Sequence, residues 1–382
     1  MRMVLSGGGT GGHIYPALAI ARKLKQINPD SAILYVGTKK GLEQKLVKEE
    51  DFEFTTVTAR GWARKINLET FYFILDLAKG ILESLRLIKK FAPQVTVGTG
   101  GYVCGPILIA SKLKGVPIII HEQNVIPGIT NRIFSRFADC TCVSFPESKE
   151  YFKKAKRIEI TGNPRAEALM DYMKRSFQNR THFRQVGLKQ GQTLLIVGGS
   201  RGAEKINQAV LEIMPDLVTL NINKIVYITG ERYYKQVLKA LQSFKFEKGA
   251  EKLSIYPYME DLPGAILAST LVISRAGATT IAELTAAAKP AILIPSPNVT
   301  DEHQWLNAVA MRNRGAARIM KEGELSGEQL KALVKEIIEN PALLEEMKLG
   351  ATKLQFPRAA STICEIAQQL AKRKPGVNNE RL

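Results

Sequence analysis

Three short glycine-rich segments hold the residue types in this chain that are best suited to bind an anion. They occupy residues 7–13, 98–102 and 198–203 and read Gly-Gly-Gly-Thr-Gly-Gly-His, Gly-Thr-Gly-Gly-Tyr and Gly-Gly-Ser-Arg-Gly-Ala. A strand that passes through a glycine turn into a helix N-terminus binds phosphate, because backbone N–H groups point outward and the missing Cβ allows close approach. The first and third segments fit this pattern and predict two nucleotide-binding-type domains that face a shared cleft.

The first half of the chain contains polar side chains that could accept or donate a proton. His13 directly follows the first glycine segment, where it is either a capping or solvated residue or a general base, because an imidazole titrates near neutral pH. Residues 121–124, His-Glu-Gln-Asn, follow a strand predicted at 116–120. Polar residues at the carboxyl end of a strand serve either ligand contact or a structural turn.

Residues 274–283 predict another strand, turn and helix, with the sequence Ser-Arg-Ala-Gly-Ala-Thr-Thr-Ile-Ala-Glu. The small residues let the helix N-terminus approach a diphosphate, and Thr279 and Thr280 add hydroxyl donors. Glu283, one turn further, is able to accept hydrogen bonds from both hydroxyls of a ribose.

A second group of polar residues in this half recurs at three-residue steps. Asp301, Gln304 and Asn307 therefore share one face of a predicted helix. That face is either solvated or, through Gln304, hydrogen-bonded to a sugar.

The segment from Gly7 to Gly12 also satisfies the G-x-G-x-x-G fingerprint of dinucleotide-binding proteins. A dehydrogenase needs an acidic residue at the end of its second strand to hold the ribose hydroxyls. Here that strand ends in Val36-Gly37-Thr38-Lys39-Lys40, which contains no acid. The pattern therefore argues against a nicotinamide cofactor.

Strands alternate with helical patterns along the chain, which predicts an α/β fold with two mainly parallel, doubly wound sheets. We expect an N-terminal domain at residues 1–162, a C-terminal domain at 163–357, and a last helix at about 358–373 that packs back on the first domain. The predicted strands lie at residues 3–5, 32–36, 95–98, 116–120 and 140–143, and at 193–197, 224–228, 271–274 and 290–294.

Charge and cysteine content narrow the choice of partners and compartment. The 382 residues include 54 Lys and Arg against 36 Asp and Glu, a net charge of +18 that favours anionic partners. Basic stretches interleaved with aromatic residues are missing, so we expect no nucleic acid. Cys140 and Cys142 are expected in a buried strand rather than in a metal or disulfide site. No signal peptide and no apolar run of about 18 residues occurs, which predicts a cytosolic protein.

The segment from Leu68 to Phe91 predicts a long helix with an apolar stripe at 3.6-residue spacing. The stripe is either a core face or a patch that contacts the membrane, with a basic rim attracted to anionic lipid. The stripe consists of Phe71, Ile74, Ala78, Ile81, Leu85 and Ile88, and the rim includes Arg60, Arg64, Lys65, Lys79, Arg86, Lys89 and Lys90.

Six motifs occur in order: GGGTGGH, GTGGY, HEQN, GNPR, GGSRGA and SRAGATTIAE. In this combination the chain closely resembles the MurG family, the undecaprenyldiphospho-muramoylpentapeptide N-acetylglucosaminyltransferases, from Met1 to about Ala371. The resemblance implies the GT-B fold of two Rossmann-like domains. It also implies transfer of N-acetylglucosamine from UDP-N-acetylglucosamine to lipid I, with inversion, to form lipid II for peptidoglycan. We therefore expect a peripheral protein at the cytoplasmic face of the cell membrane, with lipid I and an anionic membrane surface as partners.

The resemblance also assigns roles to individual residues. It implies that Glu283 binds the ribose, that Met259 lies at the uracil and that Gln304 contacts the donor sugar. The acceptor diphosphate is expected at Gly100, Gly101 and Tyr102. The other donor contacts implied are Thr10, Gly11, Gly12, Asn124, Arg165, Ser200, Ala278, Thr279, Thr280, Ile281 and Ala282. Arg201 stands where family members often have Gln.

The mechanism follows from the charge that develops on the departing diphosphate. No Asp-x-Asp occurs in the chain, so we expect the helix N-termini at 200–204 and 278–282, with Arg165, to replace a metal ion, and we expect no cofactor. His13 is the first candidate for the base that activates the acceptor hydroxyl, and Glu122 is the second. The alternatives are a related GT-B lipid glycosyltransferase, such as a diacylglycerol glycosyltransferase, a UDP-N-acetylglucosamine 2-epimerase, or a non-catalytic basic module that binds membrane or nucleic acid.

Overall fold

The computed structural model describes residues 1–61, 68–179, 192–199, 202–244, 246, 248–298 and 302–372. The chain divides into two compact units. The first comprises Met1–Glu167 and the chain from Arg358, and the second comprises Ala168–Pro357.

The described strands of the first unit form one parallel sheet. They are β1 (Arg2–Ser6), β2 (Ala32–Gly37), β3 (Glu53–Thr56), β4 (Val95–Gly98), β5 (Ile118–Glu122), β6 (Cys140–Val143) and β7 (Ile158–Ile160). Their order is β3-β2-β1-β4-β5-β6-β7, and each neighbouring pair is parallel. The chain winds outward in opposite directions from β1 and β4, which makes the gap between these two strands the switch point where ligands of such sheets bind.

Helices alternate with the strands of the first unit, because parallel neighbouring strands need a crossover connection. They are α1 (Gly11–Ile27), α2 (Leu42–Lys48), α3 (Leu68–Phe91), α4 (Cys104–Leu113) and α5 (Ile129–Phe134), and α6 (Pro164–Asn179) begins in this unit and continues into the second. Helix α1 illustrates how the spacing of apolar residues makes a helix pack on the sheet. Ile14, Leu18 and Leu24 recur on one face, and all three are buried in the core that covers the sheet.

The second unit repeats the plan with its own sheet. The strands are β8 (Thr193–Val197), β9 (Lys224–Ile228), β10 (Leu253–Tyr256), β11 (Leu271–Ser274), β12 (Ala291–Leu293) and β13 (Ala317–Ile319). The helices are α7 (Glu204–Leu217), α8 (Glu231–Gln242), α9 (Leu262–Ala268), α10 (Ala278–Ala286), α11 (His303–Asn313), α12 (Gly327–Ile338) and α13 (Pro341–Thr352). The order β10-β9-β8-β11-β12-β13, again parallel, places a switch point between β8 and β11.

The last described helix, α14 (Ala359–Ala371), packs in the first unit. Its apolar residues Ile363, Ile366 and Leu370 are buried in the same cluster as α1. The start of α14 is held by Glu167, whose carboxylate accepts from the Ser361 N–H at 2.8 Å and lies 3.0 Å from the Lys23 ammonium.

The structure confirms the predicted alternation of strands and helices, and the strands that were not predicted share one feature. The strands missing from the prediction are β3, β7, β10 and β13, which are the outer strands of the two sheets. Their residues are mostly half-buried, so they lack the continuous apolar run by which buried parallel strands are recognised. Cys140 and Cys142 lie fully buried in β6 with free thiols, as expected.

Candidate functional site

The first candidate site lies at the switch point of the first sheet, where β1 and β4 end side by side. β1 continues into the first glycine turn (residues 7–12) and β4 into the second glycine turn (residues 98–102). The Gly8 N–H donates to the Gly100 carbonyl at 3.3 Å. Gly101 has φ of +87°, and a Cβ there would lie only 2.3 Å from the Gly8 carbonyl oxygen. Only glycine permits both this conformation and this approach, so the two turns form one continuous surface.

The start of α1 belongs to this surface. Thr10 is its N-cap, and the Thr10 carbonyl accepts the first helical bond, from the His13 N–H at 3.1 Å. The N–H groups of Gly11 and Gly12 precede that bond and lie in the first turn, where a helix N-terminus attracts an anion. Tyr102 is exposed, and its ring would lie 3.8 Å from a Cβ on Gly9.

His13 is half-buried on the first turn of α1, next to the second glycine turn. Its Nδ1 lies 3.0 Å from the Thr99 carbonyl oxygen and 3.2 Å from Gln123 Oε1. The imidazole lies over Gly100, where a Cβ would be 2.7 Å from Nδ1. The Thr99 hydroxyl donates to the His13 carbonyl at 2.7 Å, which fixes the helix start against β4.

The boundary predicted for β5 was wrong by two residues. His121 and Glu122 lie within the strand, paired with Cys142 and Val143 of β6, and both are fully buried. Polar residues persist in this buried strand because hydrogen bonds satisfy them. Burial lowers the pKa of His121 to about 4, so the ring is neutral.

The Glu122 carboxylate organises the loop that follows β5. One oxygen accepts from the Asn124 N–H at 2.9 Å and the Asn124 amide at 3.2 Å. The other accepts from the Gly128 N–H at 3.1 Å and the Asn131 amide at 2.8 Å. Because four donors occupy its two oxygens, this buried carboxylate holds the loop in place.

The second candidate site lies at the switch point of the second sheet, where β8 and β11 end side by side. The third glycine turn (residues 198–203) joins β8 to α7, with Gly199 and Gly202 at φ of +85° and +75°. A Cβ on Gly202 would lie 2.5 Å from the Tyr233 ring, so the turn needs glycine there. Ser200 and Arg201 lie outside the described residues.

The neighbouring turn joins β11 to α10. Gly277 is the N-cap of α10, and Ala278 through Ala282 form its first turns. The Thr279 hydroxyl is buried and has no hydrogen-bond partner within the described part of the chain. The Arg275 guanidinium does not project as a free cation, because it pairs with Glu322 and donates to the Ile294 carbonyl at 3.1 Å. Glu283 is buried one turn further along α10.

The remaining predicted residues occupy separate places in their units. Gln304 on α11 accepts from the Ser296 N–H at 2.9 Å, which orients its amide. Asn307 is fully buried and donates to the Ala276 carbonyl at 3.3 Å, so the solvated alternative for that residue was wrong. Met259 is half-buried in the loop before α9, and Asp301 lies outside the described residues. In the first unit, the Arg165 guanidinium lies 5.4 Å from the centre of the Tyr15 ring.

Two polar contacts near these sites had no role assigned from the sequence. Gln123 bridges two histidines, and the Tyr172 hydroxyl on α6 donates at 2.6 Å to Asp261, the N-cap of α9 next to Met259. The position of Gln123 inside the HEQN motif was the available signal. Tyr172 lies 89 residues from Asp261 and carries no local signal.

The structure divides the apolar stripe of α3 between two environments. Ile88 is buried in the core with Leu85 beside it, whereas Phe71 and Ile74 are 59% and 57% exposed. The exposed half of α3 is extended by further large apolar side chains, namely Tyr72, Leu75 and Leu82. We call these five residues the apolar patch. Of the predicted basic rim, Arg64 and Lys65 lie outside the described residues.

Two other kinds of feature, a membrane-spanning helix and a metal site, are absent from the described ranges. None of the helices there is long and apolar enough to cross a bilayer. The same residues contain no cluster of three or more His, Cys, Asp or Glu side chains arranged to hold a metal ion.

Two Rossmann-like units, each with a glycine turn and a helix N-terminus at its switch point, define the class: a GT-B glycosyltransferase fold. Sequence profiles of the N-terminal and C-terminal domains of glycosyltransferase family 28 match residues 3–143 and 193–363. The solved structure of MurG from Acinetobacter baumannii superposes with a TM-score of 0.75 at 27% identity, over 96% of this chain and 99% of that one.

Sequence relatives make the assignment more specific. The chain is 48% identical to the UDP-N-acetylglucosamine–N-acetylmuramyl-(pentapeptide) pyrophosphoryl-undecaprenol N-acetylglucosamine transferase of Natranaerobius thermophilus, over 97% of this chain and all of the relative. It is 42% identical to the transferase of the same name from Bacillus cytotoxicus, over 98% of this chain and all of that relative. The chain therefore belongs to glycosyltransferase family 28 and, within it, to the MurG family.

Proposed function

We propose that this protein transfers N-acetylglucosamine from UDP-N-acetylglucosamine to the muramoyl 4-hydroxyl of lipid I, with inversion at the anomeric carbon, to form lipid II. The observation that carries the proposal is the 48% identity over the full length of a relative with this activity in its name. This family membership favours the reaction over the two alternatives, a transferase for another lipid and an epimerase.

The first unit supplies the base in this proposal. His13 takes the proton from the acceptor hydroxyl as that oxygen forms a bond to the anomeric carbon. The bond from this carbon to the diphosphate oxygen breaks, and UDP leaves with the electron pair. The support for His13 is its place at the switch point, half-buried beside two glycine turns. Glu122 is the weaker candidate, because four hydrogen-bond donors already surround its carboxylate.

The second unit binds the donor in this proposal. The first turn of α10 and the start of α7 meet the diphosphate, and the buried Thr279 hydroxyl donates to it. Glu283 accepts from the ribose hydroxyls, the backbone at Met259 meets the uracil, and Gln304 contacts the sugar. Asn124 and Arg165 of the first unit, with Thr10, Gly11 and Gly12, contribute further donor contacts.

We propose that the two helix N-termini stabilise the leaving diphosphate without a metal ion or cofactor. Turnover is then retained in excess chelator. Complete loss of activity in chelator, with rescue by one divalent ion, would contradict this part of the proposal.

The function and the base are tested with a labelled donor and a lipid I analogue. His13→Ala should lower kcat by about 10²- to 10⁴-fold, the usual contribution of a general base. Glu122→Gln serves as the comparison, and the thermal midpoints of both variants show whether they fold. Near-normal turnover by folded His13→Ala would move the role of base to Glu122. Release of UDP without acceptor would instead favour an epimerase.

The second glycine turn is the proposed site of the acceptor diphosphate, at Gly100, Gly101 and Tyr102. Because the acceptor is anchored in a bilayer, we also propose that the enzyme docks peripherally on the cytoplasmic face of an anionic membrane. The apolar patch supports this, since each of its residues is at least 50% exposed. Burying such side chains in lipid favours binding by about 1 kcal/mol each.

Vesicle co-sedimentation tests the docking surface. Phe71→Ser with Ile74→Ser should weaken binding to phosphatidylglycerol vesicles by roughly 10-fold or more, given about 1 kcal/mol for each side chain. Lys89→Glu with Lys90→Glu should weaken binding in low salt only. Leu113→Ser is a control at the end of α4, where an exposed leucine lies outside the apolar patch. Unchanged binding of both double variants would exclude this surface.

A further inference from the structure

Gln123 is a buried amide that the proposed reaction leaves without a role. It is 1% exposed and lies between His13 and His121. Its Nε2 donates to the Thr99 carbonyl at 2.8 Å and lies 3.1 Å from His121 Nδ1. Its Oε1 lies 3.2 Å from His13 Nδ1.

The Thr99 carbonyl fixes which way this amide points. A carbonyl oxygen only accepts hydrogen bonds, so the nitrogen of the amide and not its oxygen must face it. The amide oxygen of Gln123 then necessarily faces His13.

The hydrogen bonds of His121 agree with this orientation of the Gln123 amide. The Gly162 carbonyl lies 3.0 Å from His121 Nε2, so Nε2 carries the proton. Because burial keeps the ring neutral, His121 Nδ1 has a lone pair, which accepts from the second N–H of Gln123.

Two acceptors therefore surround His13 Nδ1: the Thr99 carbonyl at 3.0 Å and Gln123 Oε1 at 3.2 Å. Nδ1 must carry a proton to satisfy either of them. In a neutral imidazole the lone pair is then on Nε2, which is the nitrogen left to act as a base.

We propose that Gln123 is the positioning residue of the reaction, which holds His13 in the Nδ1–H tautomer and leaves Nε2 basic. This inference rests on the proposed role of His13 as the base. In serine proteases a carboxylate orders the histidine in this way and stabilises the imidazolium. A neutral amide orders the ring in the same way without placing a full negative charge beside it.

Other ionisable groups near the site bear on its pH dependence. They are His121 and Glu122 on β5, Glu43 beneath Gly8, Cys104 at the second glycine turn, Tyr35 on β2, Tyr102, Tyr15 and Arg165. Burial raises the pKa of Cys104 to about 11, so its thiol stays neutral. Four donors already hold the Glu122 carboxylate in its loop. A carboxylate placed at position 123 would be a further negative charge, directly beside His13.

The direct test is the tautomer of His13 in the full-length protein. Two-bond ¹H–¹⁵N correlation spectra of ¹⁵N-histidine protein should show His13 protonated at Nδ1 and unprotonated at Nε2, with the signals assigned by their loss in His13→Ala. A neutral His13 protonated at Nε2 would overturn the inference, whatever the activity of the enzyme. Because this readout needs no turnover, it separates the inference from the proposed function.

Variants of Gln123 supply the second readout. Gln123→Met removes the hydrogen bonds of this amide at similar size and leaves the Thr99 carbonyl as the one acceptor described at His13 Nδ1. It should raise the fraction of the Nε2–H tautomer and lower kcat about 10- to 100-fold, with the KM for donor changed little. Gln123→Glu should keep Nδ1 protonated but move the acid limb of the pH–rate profile upward by about one unit, because a carboxylate stabilises the imidazolium.

Ser111→Ala is the control, because it also removes a buried hydrogen bond, to Thr96, in the first unit. The control should keep the wild-type spectrum and pH profile. Wild-type tautomer and wild-type pH profile in both Gln123 variants would overturn the inference. If Gln123→Met fails to fold, the wild-type spectrum and Gln123→Glu decide the question.

Discussion

Replacement of Gly100 by alanine tests most directly how the second glycine turn positions His13. Gly100 has φ of +111°, a conformation that L residues rarely adopt. A Cβ at this position would lie 2.7 Å from His13 Nδ1, 2.8 Å from its Cε1 and 3.2 Å from the Asn131 amide nitrogen. The added methyl group therefore meets the imidazole itself.

The geometry at Gly100 sets how much stability and how much kcat the substitution should cost. Forcing alanine into this backbone region costs about 1–3 kcal/mol of stability. To bring the Cβ–Nδ1 distance from 2.7 Å to an ordinary contact of 3.4 Å, the ring must retreat by about 0.7 Å. A misplacement of about 1 Å costs roughly 10²-fold in rate, so we expect Gly100→Ala to lower kcat about 10- to 100-fold. The thermal midpoint should fall by about 2–4 °C for each kcal/mol.

Gly105→Ala is the matched control for this experiment. Gly105 lies one turn away in α4, and a Cβ there meets nothing within 4 Å. In a helix, alanine is favoured over glycine by about 0.5–1 kcal/mol, so this variant should keep wild-type kcat and an equal or higher thermal midpoint. Steady-state rates and thermal unfolding of both variants make the comparison. Wild-type kcat in Gly100→Ala, or an equal loss in Gly105→Ala, would exclude this role of the second glycine turn in positioning His13.

Three further predictions concern residues outside the first experiment. His121 is neutral when buried but protonates below about pH 6.5 when unfolded, so the free energy of unfolding of the wild type should fall by up to about 3 kcal/mol between pH 6.5 and pH 4. In guanidinium unfolding, His121→Gln should reduce this dependence of the unfolding free energy on pH. An unchanged pH dependence would disprove the prediction. Tyr172→Phe removes the hydrogen bond to Asp261 and should raise the donor KM several-fold with kcat nearly unchanged; a loss confined to kcat would argue against it. Glu167→Ala should destabilise the first unit by about 3–5 kcal/mol, because a buried ion pair and the anchor of α14 are lost; unfolding curves matching wild type would contradict this.

Periodicity and turn chemistry were sufficient to predict most of the fold. Buried strands such as β1 and β8 show continuous apolar runs, and the glycine segments mark where those strands end. The outer strands were missed because one side of each is partly exposed, so β3 contains Glu53 and two threonines where a buried strand would be apolar. The length of α3 was predicted correctly, but its division between core and exposed face was not, since that depends on which neighbours pack beneath it.

The residue types of the candidate site could be predicted from the sequence, but the hydrogen bonds between those residues could not. The motif that contains His121 to Asn124 indicated polar groups at a strand end, and no local rule distinguishes Glu122 as a loop anchor from Glu122 as a base. That distinction depends on Gly128 and Asn131, whose donors reach it only after the loop folds back. The direction of the amide of Gln123 likewise depends on carbonyl oxygens from other strands, which the sequence does not show.

The two sheets share one topology, yet their switch points carry different chemistry. In the first, His13, the proposed base, lies beside the glycine turns, and the neutral amide of Gln123 faces its Nδ1. In the second, the turn between β11 and α10 presents Thr279 and a helix N-terminus, while Arg275 is neutralised by Glu322. In our proposal, the diphosphate at this turn meets the helix N–H groups and the Thr279 hydroxyl, and Arg165 of the first unit is a further contact to the donor. In that proposal, the oriented N–H groups and the hydroxyl stabilise negative charge as it develops on the departing diphosphate.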